Sequence, residues 1–177
     1  MMSHIFHNPN NIKLPKSHHE AEEFSAKGGL ILCEDCGACY FKKHWHHGIE
    51  KLNLSETESL ENLKKDKKVH FAFCPACQMI KNKQYEGRIT IKNLPDNHKE
   101  ELVNLAEGFC KRAHERDPMD RLIAIKNEGS SLVITTTENE LASKLAHKIK
   151  DSFSKAKTKI TFAPEPSDVA EITIEFF

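Results

Sequence analysis

Two stretches decide how the first half of this chain is built: "LCEDCGACYF", residues 32–41, and "FCPACQ", residues 73–78. Each holds a Cys-x-x-Cys pair. Two Cys three apart at a tight turn can both reach one ion, and Gly37 after Cys36 lets the backbone fold back so that amides face the sulfurs. Cys74-Pro75-Ala76-Cys77 repeats the arrangement, with Pro75 fixing the turn. Four thiolates suit tetrahedral Zn(II) in a closed, structural site with no open position for hydrolytic water. Cys33, Cys36, Cys74 and Cys77 are therefore the expected ligands. "GLILC" and "VHFAFC" read as strands leading into the two pairs, as in a zinc ribbon.

Residues 37–73 separate the inner Cys of the two pairs, more than the roughly 15 to 20 of the usual pattern. An inserted helix over residues 55–67, "SETESLENLKKDK", fills that gap. Ser55 and Glu58 have capping-box spacing, and Leu60 and Leu63 sit three apart. Other ligand choices exist: Cys36 and Cys39 are also three apart, and His44, His46 and His47 follow. The position of Gly37 favours the Cys33–Cys36 knuckle, leaving Cys39 as a residue of the departing strand. Cys110 falls in a helical apolar stripe and reads as a buried thiol. A thioredoxin-like redox site would need a Cys-x-x-Cys at a helix N-terminus after a strand, and no helical periodicity is evident after either pair.

The chain has 177 residues and 38% hydrophobic residues, enough for one ordinary domain or a small domain with an appendage. Its 26 basic and 26 acidic residues cancel, which excludes a protein that coats nucleic acid by bulk charge. No run approaches the 18 or so apolar residues of a membrane span, and "MMSHIFHNPNNIKLPKSHH" has no signal-like apolar region. A cytoplasmic location is expected, where thiols stay reduced and paired Cys bind metal rather than forming disulfides. Residues 1–30, with Pro9, Pro15 and Gly28-Gly29, read as a flexible arm.

From residue 87 the pattern changes. "GRITIKN" is a strand. "PDNHKEELVNLAEGFCKRAHERD" is a helix with Leu102, Leu105, Ala106, Phe109 and Ala113 on one side, capped by Asn97 with Glu100. "RLIAIKN" and "SLVITTT" form a hairpin. Thr137 and Glu140 cap a second helix striped by Leu141, Leu145, Ala146, Ile149 and Phe153. "TKITFAP" is a strand, and "DVAEITIEFF" another, alternating Ala170, Ile172, Ile174 and Phe176. The order β-α-β-β-α-β with one extra strand is that of a ferredoxin-like plait with an extra edge strand. The expected α+β organisation is an arm over 1–30, a four-Cys zinc ribbon with an inserted helix over 31–86, and the plait over 87–177.

No G-x-x-x-x-G-K-[ST] phosphate loop and no nucleophile-base arrangement is present, so no enzymatic activity is expected. His114, Glu115, Asp117 and Asp120 form a polar cluster that a helix end and turn explain. "YFKKHWHH", residues 40–47, mixes rings with Lys42, Lys43 and the lone Trp45. Rings that stack bases beside cations that meet phosphates are a nucleic-acid-binding combination. Lys64, Lys65, Lys67, Lys68, Lys81, Lys83 and Arg88 extend this candidate surface. Packing of Trp45 in a small core and solvation of the Lys explain the same residues without a ligand. Glu171 and Glu175 on the last strand disfavour phosphate and suit a protein partner.

"CEDCGACYFKKHW", "FCPACQMIKNKQYEGRITI" and "RDPMDRLIAIKNEGSSLVITTTENELASKLAHKI" together resemble a family of short bacterial zinc-ribbon proteins. That family is distantly similar to the zinc-binding region of the nonsense-mediated-decay-type adaptor that exports the large ribosomal subunit. The likeness covers roughly residues 31–177. It implies contact with RNA or the ribosome, and it favours Cys33, Cys36, Cys74 and Cys77 as ligands, since the family pattern has an aliphatic residue where Cys39 stands. The expected function is a zinc-binding, non-enzymatic RNA- or ribosome-associated adaptor, with a protein partner or homodimer formed through the plait's edge strand. The competing expectations are a thiol-redox or metal-handling protein and a protein–protein adaptor without nucleic acid.

Overall fold

The computed structural model describes residues 29–52, 62, 69–153, 156–162 and 169–177. The expected arm, the inserted helix apart from Asn62, and Lys64, Lys65, Lys67 and Lys68 lie outside the described residues. What is described is a mixed α+β protein with two sheets and three helices. The chain divides into two compact units, the first ending at Gln78 and the second taking Met79–Phe177. The division therefore falls before the expected boundary at residue 87.

In the first unit, strands β1 (Leu30–Cys33), β2 (Cys39–Phe41), β3 (His44–His46) and β4 (Val69–Ala72) form a sheet of order β3-β2-β1-β4. β1 is antiparallel to β2 and parallel to β4. Alternation sorts the side chains onto two faces. Leu30, Cys39 and Phe41 are buried on one face, with Leu32, Val69, Ile49 and Leu52 packed against them. Tyr40 and Trp45 pair across strands on the other, ring centroids 5.2 Å apart. This core is small. Helix α1 (Pro75–Asn82) follows β4 and contains the division between the units.

The second unit continues with β5 (Gly87–Lys92), α2 (Asp96–Arg116), β6 (Leu122–Glu128), β7 (Ser131–Thr136), α3 (Asn139–Ser152), β8 (Ala156–Phe162) and β9 (Ala170–Phe176). Its core joins Ile89, Ile91, Leu132, Ile134, Ile172 and Ile174 of the sheet to apolar stripes of α2 and α3. The helices cap differently from expectation. Pro95 and Glu138 hold the N-cap positions without side-chain cap bonds. Thr137 instead donates its hydroxyl to the Met119 carbonyl at 2.5 Å and accepts the Arg121 amide at 2.8 Å, pinning the turn before β6.

The sheet order is β6-β7-β5-β9-β8. The extra strand is not at the edge where it was expected. β9 lies inside the sheet, parallel to β5, and β8 takes the edge, antiparallel to β9. Burial explains the choice. Every core-facing residue of β9 from Ala170 to Phe176 is at most 3% exposed, while β8 carries exposed Lys157 and Lys159. An apolar strand gains most between two neighbours, and lysines belong on an edge.

Candidate metal centre

The parallel pairing of β1 with β4 brings four sulfurs together. Because the strands run the same way, with Cys33 opposite Ala72, Cys33 and Cys74 leave the sheet at the same end. After Cys33 the chain turns sharply. The Gly37 amide donates to the Cys33 carbonyl at 3.1 Å, and the Cys33 amide donates to the Ala38 carbonyl at 2.7 Å. Gly37 sits at φ +74° with open space around it, so the backbone angle rather than crowding demands glycine.

The second pair is built differently from the expected ribbon turn. Pro75 opens α1, Cys77 lies in its first turn, and the Gln78 amide donates to the Cys74 carbonyl at 2.9 Å. The signal for this helix was present: proline is favoured at the first helical position, where its missing N–H costs nothing, and Lys81 sits in the last turn. The pair therefore does stand after a strand and at a helix N-terminus.

The sulfurs of Cys33, Cys36, Cys74 and Cys77 all lie within 4.8 Å of one another. Cys36 Sγ is 3.7 Å from Cys74 Sγ, and a tetrahedral ion with metal–sulfur bonds of about 2.3 Å places its sulfurs about 3.8 Å apart. The Cys74 amide donates to Cys33 Sγ at 3.2 Å and the Cys77 amide to Cys74 Sγ at 3.4 Å. Such bonds orient thiolates and drain their charge. The residues present fit a metal ion held by four thiolates.

The four thiols are electrostatically unequal. Burial raises the Cys33 thiol, but the amides of Cys36, Cys74 and Asp35 outweigh it and bring the group down to about 7. Burial pushes Cys74 up to about 12, against the pull of the Cys77 amide and with the charges of Cys36 and Cys33 adding to the rise. Cys77 is raised further, first by burial and then by its bond with Asp35. A divalent ion would supply the field that lets all four ionise, so binding should release protons.

Cys39 and Cys110 stand apart from this cluster. Both are buried. Burial and the charge of Glu50 push Cys39 up to about 11, and burial and Asp120 push Cys110 up to about 12. Both are inert core thiols at neutral pH. His44, His46 and His47 are not in the metal-binding group among the described residues.

The nucleic-acid candidates are spread over several elements. Lys42 and Lys43 form the two-residue turn between β2 and β3 and are exposed. The register puts that turn at the end of the sheet opposite the sulfurs, so these residues lie away from the four Cys despite their nearness in sequence to Cys36. Trp45 is half-buried against Tyr40. Lys81 lies in the last turn of α1, Lys83 follows the helix, and Arg88 lies on β5, paired with Glu128 at 2.7 Å. No helix among the described residues is long and apolar enough to cross a membrane. No protein-family model and no curated protein matches the chain.

Proposed function

We propose that this protein is a cytoplasmic, non-enzymatic adaptor whose first unit is held by a structural Zn(II) and meets RNA or the ribosome through the Lys42–Lys43 turn and the adjoining Trp45. Four sulfurs within 4.8 Å of one another favour zinc, and four thiolate ligands would leave no open coordination position for chemistry. The second unit fits a variant of the ferredoxin-like plait with a parallel strand inserted beside its first strand.

One observation supports the turn as the contact. Lys42 and Lys43 both have left-handed backbone, at φ 49° and 71°. A two-residue hairpin turn of this kind is far easier for Asn-Gly, and strain of about 1 kcal/mol or more per residue points to function where it persists. Exposed neighbouring lysines meet phosphates, and the half-buried Trp45 lies two residues after Lys43. A homodimer through the plait edge is the weaker reading, because Lys157 and Lys159 on β8 oppose strand pairing there. Thiol-redox activity is the second reading, favoured by the position of Cys74 and Cys77 at the start of α1.

The test is sucrose-gradient sedimentation of tagged protein in fresh lysate, at low and high salt and after nuclease. Salt-sensitive co-migration with ribosomal particles that K42N/K43G abolishes supports the proposal. Sedimentation as a free species at every salt refutes it. One equivalent of zinc that survives mild peroxide argues against the redox reading.

A further inference from the structure

β4 is an edge strand, with β1 on one side and no strand on the other among the described residues. Val69 and Phe71 continue the apolar face of the sheet past Leu30 and Leu32, with Phe71 opposite Leu32. Ile49 and Leu52 cover part of that face, but Phe71 is left 57% exposed. Beside it lies a groove of about 590 Å³. Its lining combines apolar Leu32, Ile49 and Phe71 with Glu34, Glu50 and His47, and it reaches Cys33 of the sulfur cluster. Among the described residues no Lys or Arg lines it. The Glu50 carboxylate folds back over Gly48, where a Cβ would collide with it, so the glycine makes room for the acid.

We propose that the β4 edge and this groove form a docking site for an extended peptide segment of a partner protein, which adds as a strand to β4 and seats one basic and one apolar side chain in the groove. Strand addition draws affinity from main-chain hydrogen bonds and specificity from pockets for alternate side chains. The groove's volume suits one or two large side chains. Two carboxylates beside apolar side chains select a cation with a hydrophobic neighbour. A second copy of the chain fits poorly, since a four-residue strand gives far less than the roughly 800 Å² per partner that a stable dimer buries. The site does not depend on the RNA proposal, and lies at the other end of the sheet from the lysine turn.

The experiment is fluorescence anisotropy on the zinc-loaded full chain, with a labelled heptapeptide Thr-Val-Lys-Val-Phe-Val-Thr and its counterpart carrying Glu in place of Lys. Binding of the Lys peptide about tenfold tighter than the Glu peptide is expected. Glu50→Lys should erase or invert that preference, and Phe71→Thr should weaken the Lys peptide about fivefold or more, each with zinc content and thermal unfolding of the wild type. Equal affinity for both peptides, no saturable binding up to millimolar concentration, or binding indifferent to both substitutions overturns the proposal. So does displacement of the peptide by single-stranded RNA, or concentration-dependent self-association that Phe71→Thr alone removes.

Discussion

At the scale of single residues, two positions make sharp predictions. Gly87 begins β5 where a Cβ would collide with the Thr136 hydroxyl and the Ala142 methyl carbon. Thr136 and Ala142 are fully buried and cannot move aside. Gly87→Ala should therefore cost about 2–3 kcal/mol in urea unfolding followed by circular dichroism, the usual size of overpacking in a filled core. Glu138 is the second position. Burial, then the charges of Glu86, Asp120, Asp117 and Glu140, raise its carboxyl from 4.5 to about 7. The folded protein thus holds this proton more tightly than the unfolded chain. The contribution to stability is full below pH 4.5 and is lost as pH rises through 7. Glu138→Gln should be more stable than wild type at pH 8 by about 1 kcal/mol, a figure reduced for solvent screening. The difference should shrink on lowering the pH to 6.

At the scale of elements, the β2–β3 turn separates stability from binding. Asn-Gly adopts left-handed backbone readily, so K42N/K43G should raise stability by about 1 kcal/mol while removing the two lysines proposed to meet phosphate. Loss of RNA association in a variant that unfolds later cannot be blamed on misfolding. α1 offers a similar contrast. Its start orients Cys74 and Cys77, so Cys77→Ser should remove the metal, measured as zinc per chain, and Cys39→Ser should not. The helix escaped detection because its few residues carry only a short, mixed pattern, although Pro75 announced its beginning.

At the scale of the whole molecule, the two units differ in what holds them. All four sulfurs and the small Leu30–Cys39–Phe41 core belong to the first unit. The second has a continuous core of sheet and helix residues and contributes none of the four clustered sulfurs. Chelation should therefore unfold the first unit and spare the second. Hydrogen exchange after EDTA treatment should show β1–β4 losing protection while β5, β7 and β9 keep theirs. Uniform loss throughout the chain would contradict this division.

Local pattern carried what depends on short range. The spacing of Cys33, Cys36, Cys74 and Cys77 marked the four sulfurs that come together in a group able to hold a metal ion, because two sulfurs three residues apart can reach one ion. Strict alternation marked β9, and periodicity at three and four marked α2 and α3, because buried faces impose those rhythms on sequence. Long-range pairing was decided only by the tertiary structure. The parallel match of β1 with β4, the interior place of β9, the helix under the second Cys pair and the groove beside Phe71 all arise from which surfaces meet. Strand partners are selected by burial summed over distant residues, and no local stretch of chain encodes that sum.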